Sequence, residues 1–471
     1  MSAVVVWLRR DLRLSDNAAL HAAAELKLPV IPVFIWSPEE EKPWQPGGAS
    51  QWWLHHSLRA FDQDLSALQS RLILRSGSSL DQLIEIISET KAKYVFWNRL
   101  YEPKITARDE GIKTELKKRG LDARSFNSAL LYEPWTIENG QKKPFQVFTP
   151  FSRKCLAVKP DAPIAAPKKI LSPSQWPRSE KLQGLELLPK GPRWDRKMES
   201  HWSPGEAGAQ KLIKVFLKEP VENYSEGRDA PSEAGTSKLS AALHFGEIGP
   251  RQIWQATTEA QRQLKGPAAK TSSHKFLMEI LWREFAHHVL FHFPYTCDEP
   301  LRSQYKSFPW KHNKKLYRAW CRGETGFPIV DAGMRQLWET GWMHNRVRMI
   351  VASILTKHLL MSWKDGALWF WDTLVDADLA SNSLGWQWAG GCGADAAPYF
   401  RIFNPVLQGE KFDPEGVYVK RWVPELKAIP SSHIHKPWEF MGGKATKYPA
   451  PVITLAEGRD RALAAFKGFK G

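Results

Sequence analysis

Residues 3–35, AVVVWLRRDLRLSDNAALHAAAELKLPVIPVFI, decide how the first part of the chain folds. Two apolar runs, at 3–7 and 29–35, are too short for helices and rich in the β-branched residues that favour strands. Between them, 16–26 places Ala and Leu at helical spacing. Strand, helix and strand in this order make a parallel unit, because the helical crossover returns the chain to the end from which it started. Outward from this unit the alternation continues, with strand candidates at 71–77, 93–98 and 123–127 and helical segments near 50–69, 79–90 and 104–119. The reading is a doubly wound parallel sheet, a Rossmann-like α/β domain over residues 1–132. Such sheets often bind nucleotides. GxGxxG and Walker A patterns are both missing, however, so a dinucleotide or ATP site of the usual kind is not supported.

From 133 to 205 the periodicity stops. Eleven of the chain's 33 prolines fall between Pro134 and Pro204, which reads as a long connector. From 206 to 471 apolar residues recur at helical spacing, so a large all-α domain is expected, with the closing KGFKG as a frayed basic tail. The 471 residues are 43% hydrophobic and 25% charged, which excludes collagen-like, disordered and coiled-coil chains. Lys and Arg number 66 against 50 Asp and Glu, a net charge of +16 that suits a polyanionic partner such as nucleic acid, with an inert basic surface as the alternative. Cys155, Cys297, Cys321 and Cys392 form no CxxC pair, so reduced thiols are expected rather than a zinc site or disulfides. The first apolar run is too short for a signal peptide, and no apolar stretch is long enough to span a bilayer. A cytoplasmic protein is expected.

Chemistry concentrates in the second half. In HKFLMEILWREFAHHVLF (274–291), Phe276, Glu279, Trp282 and Arg283 recur at three-to-four spacing, putting a carboxylate and an indole on one helix face. A core Trp beside a surface ion pair is the plainer account. In GWMHNRVRMIVASILTKHLL (341–360), Asn345, Arg348 and Met349 share a side while Arg346 turns elsewhere, which suits a planar ligand of mixed polarity or a satisfied buried Asn. In WFWDTLVDADLASNSLGWQW (369–388), Asp376, Asp378 and Asn382 lie within seven residues and precede Trp386 and Trp388. This cluster has no His, so a metal site is not expected; two acceptors facing an organic ring or a ribityl chain fit better, with Arg348 able to neutralise one. Thr236, Ser237 and Ser240 stand at the expected start of a helix, where hydroxyls and free amides suit phosphate, although an ordinary N-cap explains them equally.

Taken together, WLRRDLRLSDN (7–17), VFTPFSRK (147–154), GTSKLSAALHFGEI (235–248), WREF (282–285), GFPIVDAGMRQLWETGWMHNRVRM (326–349) and the block from GWQW to FRIFNP (385–405) resemble the DNA photolyase and cryptochrome family, in the family's order. The segments 37–58 and 391–416 look most like class III cyclobutane-dimer photolyases, with class I close behind.

The resemblance implies a U-shaped FAD in the helical domain. Tyr224, Thr236, Ser237, Leu239 and Ser240 would hold its phosphates and ribose, and Arg283, Arg348, Asp376 and Asp378 would surround the ribityl chain and isoalloxazine. Asn382 would face flavin N5; an Asn there suits the photolyase branch, since plant cryptochromes carry Asp and animal ones Cys. Glu279, Trp282, Asn345, Met349 and Trp388 match the positions that contact a flipped-out pyrimidine dimer, which light-driven electron transfer from reduced FAD would split. Enzymes for the (6-4) photoproduct carry a His where this chain has Asn345. Trp386, Trp363 and Trp310 match the family's electron relay, with core packing as the alternative for each. Arg228, Arg346 and Arg401 match positions on the DNA backbone. A second, antenna chromophore is implied in the N-terminal domain, residues 1–132, methenyltetrahydrofolate by the class III likeness; NRLYEPKIT (98–106) lacks the Asn-Glu pair that class I enzymes use for it, and Trp52 and Trp53 are candidates for its pocket or for the core. The expected partner is dimer-containing DNA and the expected state a monomer. A cryptochrome-type sensor without repair, a (6-4) enzyme and an enzyme restricted to single strands are the alternatives.

Overall fold

Five parallel strands form one sheet in the order β3-β2-β1-β4-β5: β1 (Val4–Leu8), β2 (Val30–Trp36), β3 (Ile73–Ser76), β4 (Tyr94–Asn98) and β5 (Asp122–Phe126). The computed structural model describes residues 2–396, 398–399, 401–440 and 447–470. Val4, Val6 and Leu8 pack into one apolar layer while Val5 and Trp7 pack into the layer on the opposite face, so both faces are covered and the strand reads as an unbroken apolar run. The crossovers are α1 (Ala18–Glu25), α2 (Gly48–Ala67), α3 (Ser79–Thr90) and α4 (Pro103–Lys118). Asn17 caps α1 by accepting from the amide of Leu20, and Ser78 caps α3 by accepting from that of Asp81. Trp52 and Trp53, each 1% exposed, belong to the core of this domain.

The segment 133–205 contains one α-helix, α5 (Phe148–Leu156), and otherwise runs as extended chain and short turns against its neighbours. It lies back along the sheet domain: the amide of Val30 donates to Leu171, that of Glu180 to Leu74, and that of Asp16 to Ile164. Beyond it, the described residues hold no strand, only one isolated bridge between Lys311 and Met361. The helices are α6 (Glu206–Lys218), α7 (Tyr224–Gly227), α8 (Ser240–His244), α9 (Pro250–Gln263), α10 (Pro267–His292), α11 (Lys314–Arg322), α12 (Pro328–Thr340), α13 (Asn345–Ser353), α14 (Trp363–Thr373), α15 (Leu379–Gly390), α16 (Pro405–Phe412), α17 (Val417–Trp422), α18 (Pro437–Phe440) and α19 (Leu455–Lys470). A π-helical turn, Ile354–His358, follows α13. The expected frayed tail is not found: α19 continues to Lys470, and Phe469 packs on Tyr305 and Phe308 with ring centroids 5.1 and 5.2 Å away. Gly471 lies outside the described residues, as do Ala397 and Phe400 of the 391–416 block. No helix is long and apolar enough to cross a membrane, among the described residues.

Two buried carboxylates tie the segments together. Glu247 accepts from the indole N–H of Trp53 at 3.0 Å and the amide of Gly205 at 2.7 Å, and Glu284 on α10 accepts from the amides of Leu131 and Tyr132. Burial pushes both carboxyl groups up to about 7. A carboxyl group raised this way contributes stability that is complete below its ordinary range and is lost as pH rises through about 7. Burial pushes His56, His288, His344 and His358 the other way, to about 4, so their contribution is lost as pH falls below the ordinary histidine range. Glu247→Gln, which keeps an acceptor and removes the ionisation, should recover about 1 kcal/mol of what the protein loses between about pH 6 and about pH 8.5, read as a flatter melting temperature over that interval.

Candidate active site

Four helices bring the chemistry-bearing residues together. On α10, Trp282 lies flat on Phe148 of α5, with ring centroids 3.8 Å apart and planes 8° from parallel. This fixes one face of the indole and leaves the half-buried side chain presented as a wall. Glu279, one turn earlier, forms an ion pair with Arg228, which follows α7. Arg228 also covers the ring of Tyr224 at 5.4 Å. Arg283 turns towards the sheet-domain side, donating to the carbonyl of Ala129 at 2.8 Å and standing 3.6 Å from Glu284.

On α13, Asn345 is the first residue after the cap His344 and is exposed. Arg346 does not turn elsewhere. Its guanidinium pairs with Asp229 at 2.8 Å, reaches the sulfur of Met349 at 3.6 Å and lies over Phe412 of α16 at 4.4 Å, because a three-residue step on a helix brings it back beside Met349. Glu279, Arg228, Asp229 and Arg346 thus form an alternating ladder of charges from α10 to α13. Two of the three arginines expected on a DNA backbone, Arg228 and Arg346, are engaged in it. Arg401 is exposed, with its guanidinium 5.7 Å from the Phe403 ring.

The third cluster sits at the start of α15. Arg348 pairs with Asp376 at 2.7 Å, as its spacing suggested. Asp378 caps α15 by accepting from the amide of Ser381 at 2.8 Å, and its other oxygen faces His287 at 3.5 Å and His244 at 3.7 Å. Burial works against the charge of Asp378, but the two imidazoles outweigh it and hold the carboxyl well below its usual range. Burial likewise works against a charged His287, yet Asp378 raises it. Asn382 donates to the carbonyl of Ala367 at 3.0 Å, which locks its amide one turn into α15. His244, His287, Asp229 and Phe148 were not singled out in the sequence: each lies in a segment whose apolar or charged context reads as ordinary core or surface.

Tyr224 is buried edge-on against Phe216 and Phe276. Thr236 and Ser237 lie in the loop before α8, Leu239 is its cap residue and Ser240 its first residue, and no side-chain cap bond forms, so the N-cap account does not apply. The loop closes on itself at two glycines: a Cβ on Gly235 would stand 2.2 Å from the carbonyl oxygen of Gly227. Among the described residues the hydroxyls of Thr236, Ser237 and Ser240 make no hydrogen bond, and the second oxygen of Asp376 is buried without a partner. Free hydroxyls at one end and an orphaned acceptor beside Arg348 at the other fit a ligand with both phosphates and a hydrogen-bonding ring.

Trp386 and Trp363 are 3% and 4% exposed, on α15 and at the start of α14, while Trp310 is half-buried. Trp386 fills the space over Gly366, where a Cβ would stand 2.1 Å from the indole. The bridge between Lys311 and Met361 sets Trp310 beside the chain entering α14. Trp388 is half-buried with its ring 6.5 Å from Phe403.

A family model described as the FAD binding domain of DNA photolyase matches residues 276–468, and one described as DNA photolyase matches residues 4–168. A deoxyribodipyrimidine photo-lyase of Agrobacterium fabrum is 47% identical, over 99% of this chain and 98% of its own length. The chain belongs to the DNA photolyase family. A solved class III photolyase from Agrobacterium tumefaciens superposes with a TM-score of 0.95 at 47% identity, over 100% of this chain and 98% of that one, in keeping with the class III likeness of the motifs. Cryptochrome-1 of Arabidopsis thaliana is 39% identical over 97% of this chain and 69% of its own length.

Two further cavities in this photolyase-family chain flank the residues above. One, about 100 Å³, sits between the domains beyond the C-terminal ends of β1, β2 and β4 and is walled by Trp7, Arg10, Trp36, Glu102 and His244. The other, about 1030 Å³, is an open cleft between the 194–200 turn and the helical domain. Trp338, 56% exposed, and Trp369 line it with ring planes 10° from parallel and centroids 6.2 Å apart. Arg193, Lys197, Arg335 and Arg421 stand around them; the first three are paired with Asp195, Glu339 and Glu425.

Proposed function

We propose that this chain uses blue light to split cyclobutane pyrimidine dimers in DNA, with FAD held between the Thr236–Ser240 loop and the start of α15. The observation that carries the reading is the braced aromatic wall, Trp282 on Phe148, beside a charge ladder that runs from Glu279 through Arg228 and Asp229 to Arg346 and Met349 on α13, the helix whose Arg348 pairs with Asp376. Bound FAD supplies the light-excited electron. The chain's own residues receive the lesion: Trp282 and Trp388 cover the faces of an extruded dimer, as enzymes acting on bases in duplexes require, and Asn345 and Glu279 address its polar edges. A negative charge developing on the dimer needs a hydrogen-bond donor nearby, and Glu279 supplies one only when protonated. Arg228, paired with Glu279 here, is the cation that a DNA phosphate would engage beside the lesion.

The large cleft is the better seat for an antenna. Small-molecule sites run to about 300–1,000 Å³, which the interdomain cavity falls well short of and the cleft reaches. The two near-parallel indoles, one exposed and one half-buried, suit a pterin ring, and Arg421 suits a carboxylate of a glutamate tail, so methenyltetrahydrofolate fits there. Lesion-bearing DNA, action as a monomer and a cytoplasmic setting complete the proposal.

The deciding experiment illuminates the reduced holoprotein with duplex DNA carrying defined dimers. Dimers should disappear only in the light; flavin-loaded protein that leaves every dimer intact would favour the photosensory reading that the cryptochrome relatives suggest. Glu279→Ala, which removes the donor, should retain flavin yet lower dimers repaired per absorbed photon by about tenfold or more, the scale of one lost hydrogen bond to a charged group.

A further inference from the structure

Repair chemistry makes no use of the buried ammonium group of Lys357. It lies 1% exposed in the π-turn Ile354–His358, an irregularity often kept at functional positions. Its Nζ donates to the carbonyl of Gly390 at 3.1 Å and stands 3.5 Å from the centre of the Tyr399 ring. Gly390 neighbours Trp363: a Cβ built there would lie 3.5 Å from Cβ and 3.7 Å from Cδ1 of that residue, ordinary contact distances. On the other side the Tyr399 ring meets Phe308 at 4.9 Å, and Phe308 meets Trp310 at 4.5 Å. Lys357 therefore occupies the ground between the second and third tryptophans of the relay, nearer the second.

Among the described residues no carboxylate pairs with it. The groups facing it are Cys392, whose thiol burial pushes up to about 12, and the Tyr399 phenol, which burial also raises; both stay neutral. His358 in the same turn is pushed down to about 4 and is neutral too. The nearby charges are cationic: Arg302, which reaches the carbonyl of Gly391 at 3.5 Å, and Arg461 of α19, which donates to the carbonyl of His358.

We propose that Lys357 is a positioning residue for electron flow, whose positive charge disfavours a hole on Trp363 and drives it outward to Trp310. The inference rests on the Trp386–Trp363–Trp310 relay. In that relay Trp386 would supply one electron to a bound, light-excited oxidised flavin, Trp363 would refill Trp386 and Trp310 would refill Trp363. The oxidised Trp310 would lose its indole proton to water and then take a hydrogen atom, electron and proton together, from an added thiol, whose thiyl radicals couple to a disulfide. Coulomb repulsion acts strongly at Trp363 in the dry interior and weakly at half-exposed Trp310, where water screens it. Burial lowers Lys357 to about 7, so the bias fades as pH rises through neutrality.

Flash photolysis of the oxidised holoprotein tests this through the long-lived indole radical signal. Lys357→Met should lower the surviving fraction by about threefold or more and make it independent of pH, while Lys357→Arg, charged throughout, should restore it and hold it up to about pH 9. Labelled lysine methylene resonances should show a midpoint near neutrality in the dark protein, a readout that needs no electron transfer. Dimer repair by chemically reduced Lys357→Met should match the unmodified protein. A Lys357→Met signal equal to that of the unmodified protein overturns the proposal. Trp386→Phe keeps the two ideas apart: if it leaves the radical signal in place the relay itself fails, and if it abolishes the signal while Lys357→Met does not alter it, only the role of Lys357 fails.

Discussion

Asp378→Ala is expected to unfold the flavin end of the helical domain. The substitution removes the cap of α15, a loss of about 1 kcal/mol, and strands His287 as a buried group whose counter-charge has gone. Removing one partner of a buried ion pair costs about 3–5 kcal/mol, so a combined loss of about 4 kcal/mol follows once His287 sheds its proton. Against a total stability of about 5–15 kcal/mol this is severe. Asn382 and Trp386 sit one and two turns further along the same helix, so their placement goes with it. Purified Asp378→Ala should emerge from gel filtration without flavin absorbance and unfold at a much lower urea concentration. Asp378→Asn keeps the capping oxygen and loses only the charge, and should recover about 1 kcal/mol of the difference. Equal behaviour of the two variants would place the whole effect in the ion cluster; full flavin retention by Asp378→Ala would remove Asp378 from the site.

Trp282→Ala should discriminate between damaged and undamaged DNA. Stacking of a base on an aromatic ring contributes about 1–3 kcal/mol, so losing this wall should weaken binding of a dimer-containing duplex by about 30-fold. Undamaged DNA, held through phosphates, should bind as before with the same dependence on salt. Trp282→Phe retains a flat ring against Phe148 and should restore most of the preference. An equal loss on both DNAs would show a collapsed surface instead of a missing wall.

The sheet was legible in the sequence because its signal is local: runs such as Val30–Trp36, bounded by helices of the right length, admit one arrangement. The Arg348–Asp376 pair was legible for the same reason, since an acidic cluster with no His asks for a cation. The partners of Asp378 were not. His244 and His287 come from segments far apart in the chain, and each sits in an apolar run that reads as core. Arg228 shows the opposite failure. Its motif position suggests a phosphate contact, and only the folded chain reveals Glu279 beside it. Trp338 and Trp369 went unnoticed among 23 tryptophans because helical spacing cannot tell an indole packed in a core from one lining a cleft.

The strip of chain that returns along the sheet has a consequence for anyone seeking to take the protein apart. Because 164–180 completes the hydrogen bonding of residues as far apart as Asp16, Val30 and Leu74, the break in sequence pattern near 132 is not a seam at which the chain can be cut. Chimaeras that exchange the sheet domain must carry residues 1–205 as a single cassette, and a nick in the exposed turns of the strip should leave both fragments held together until denaturant is added.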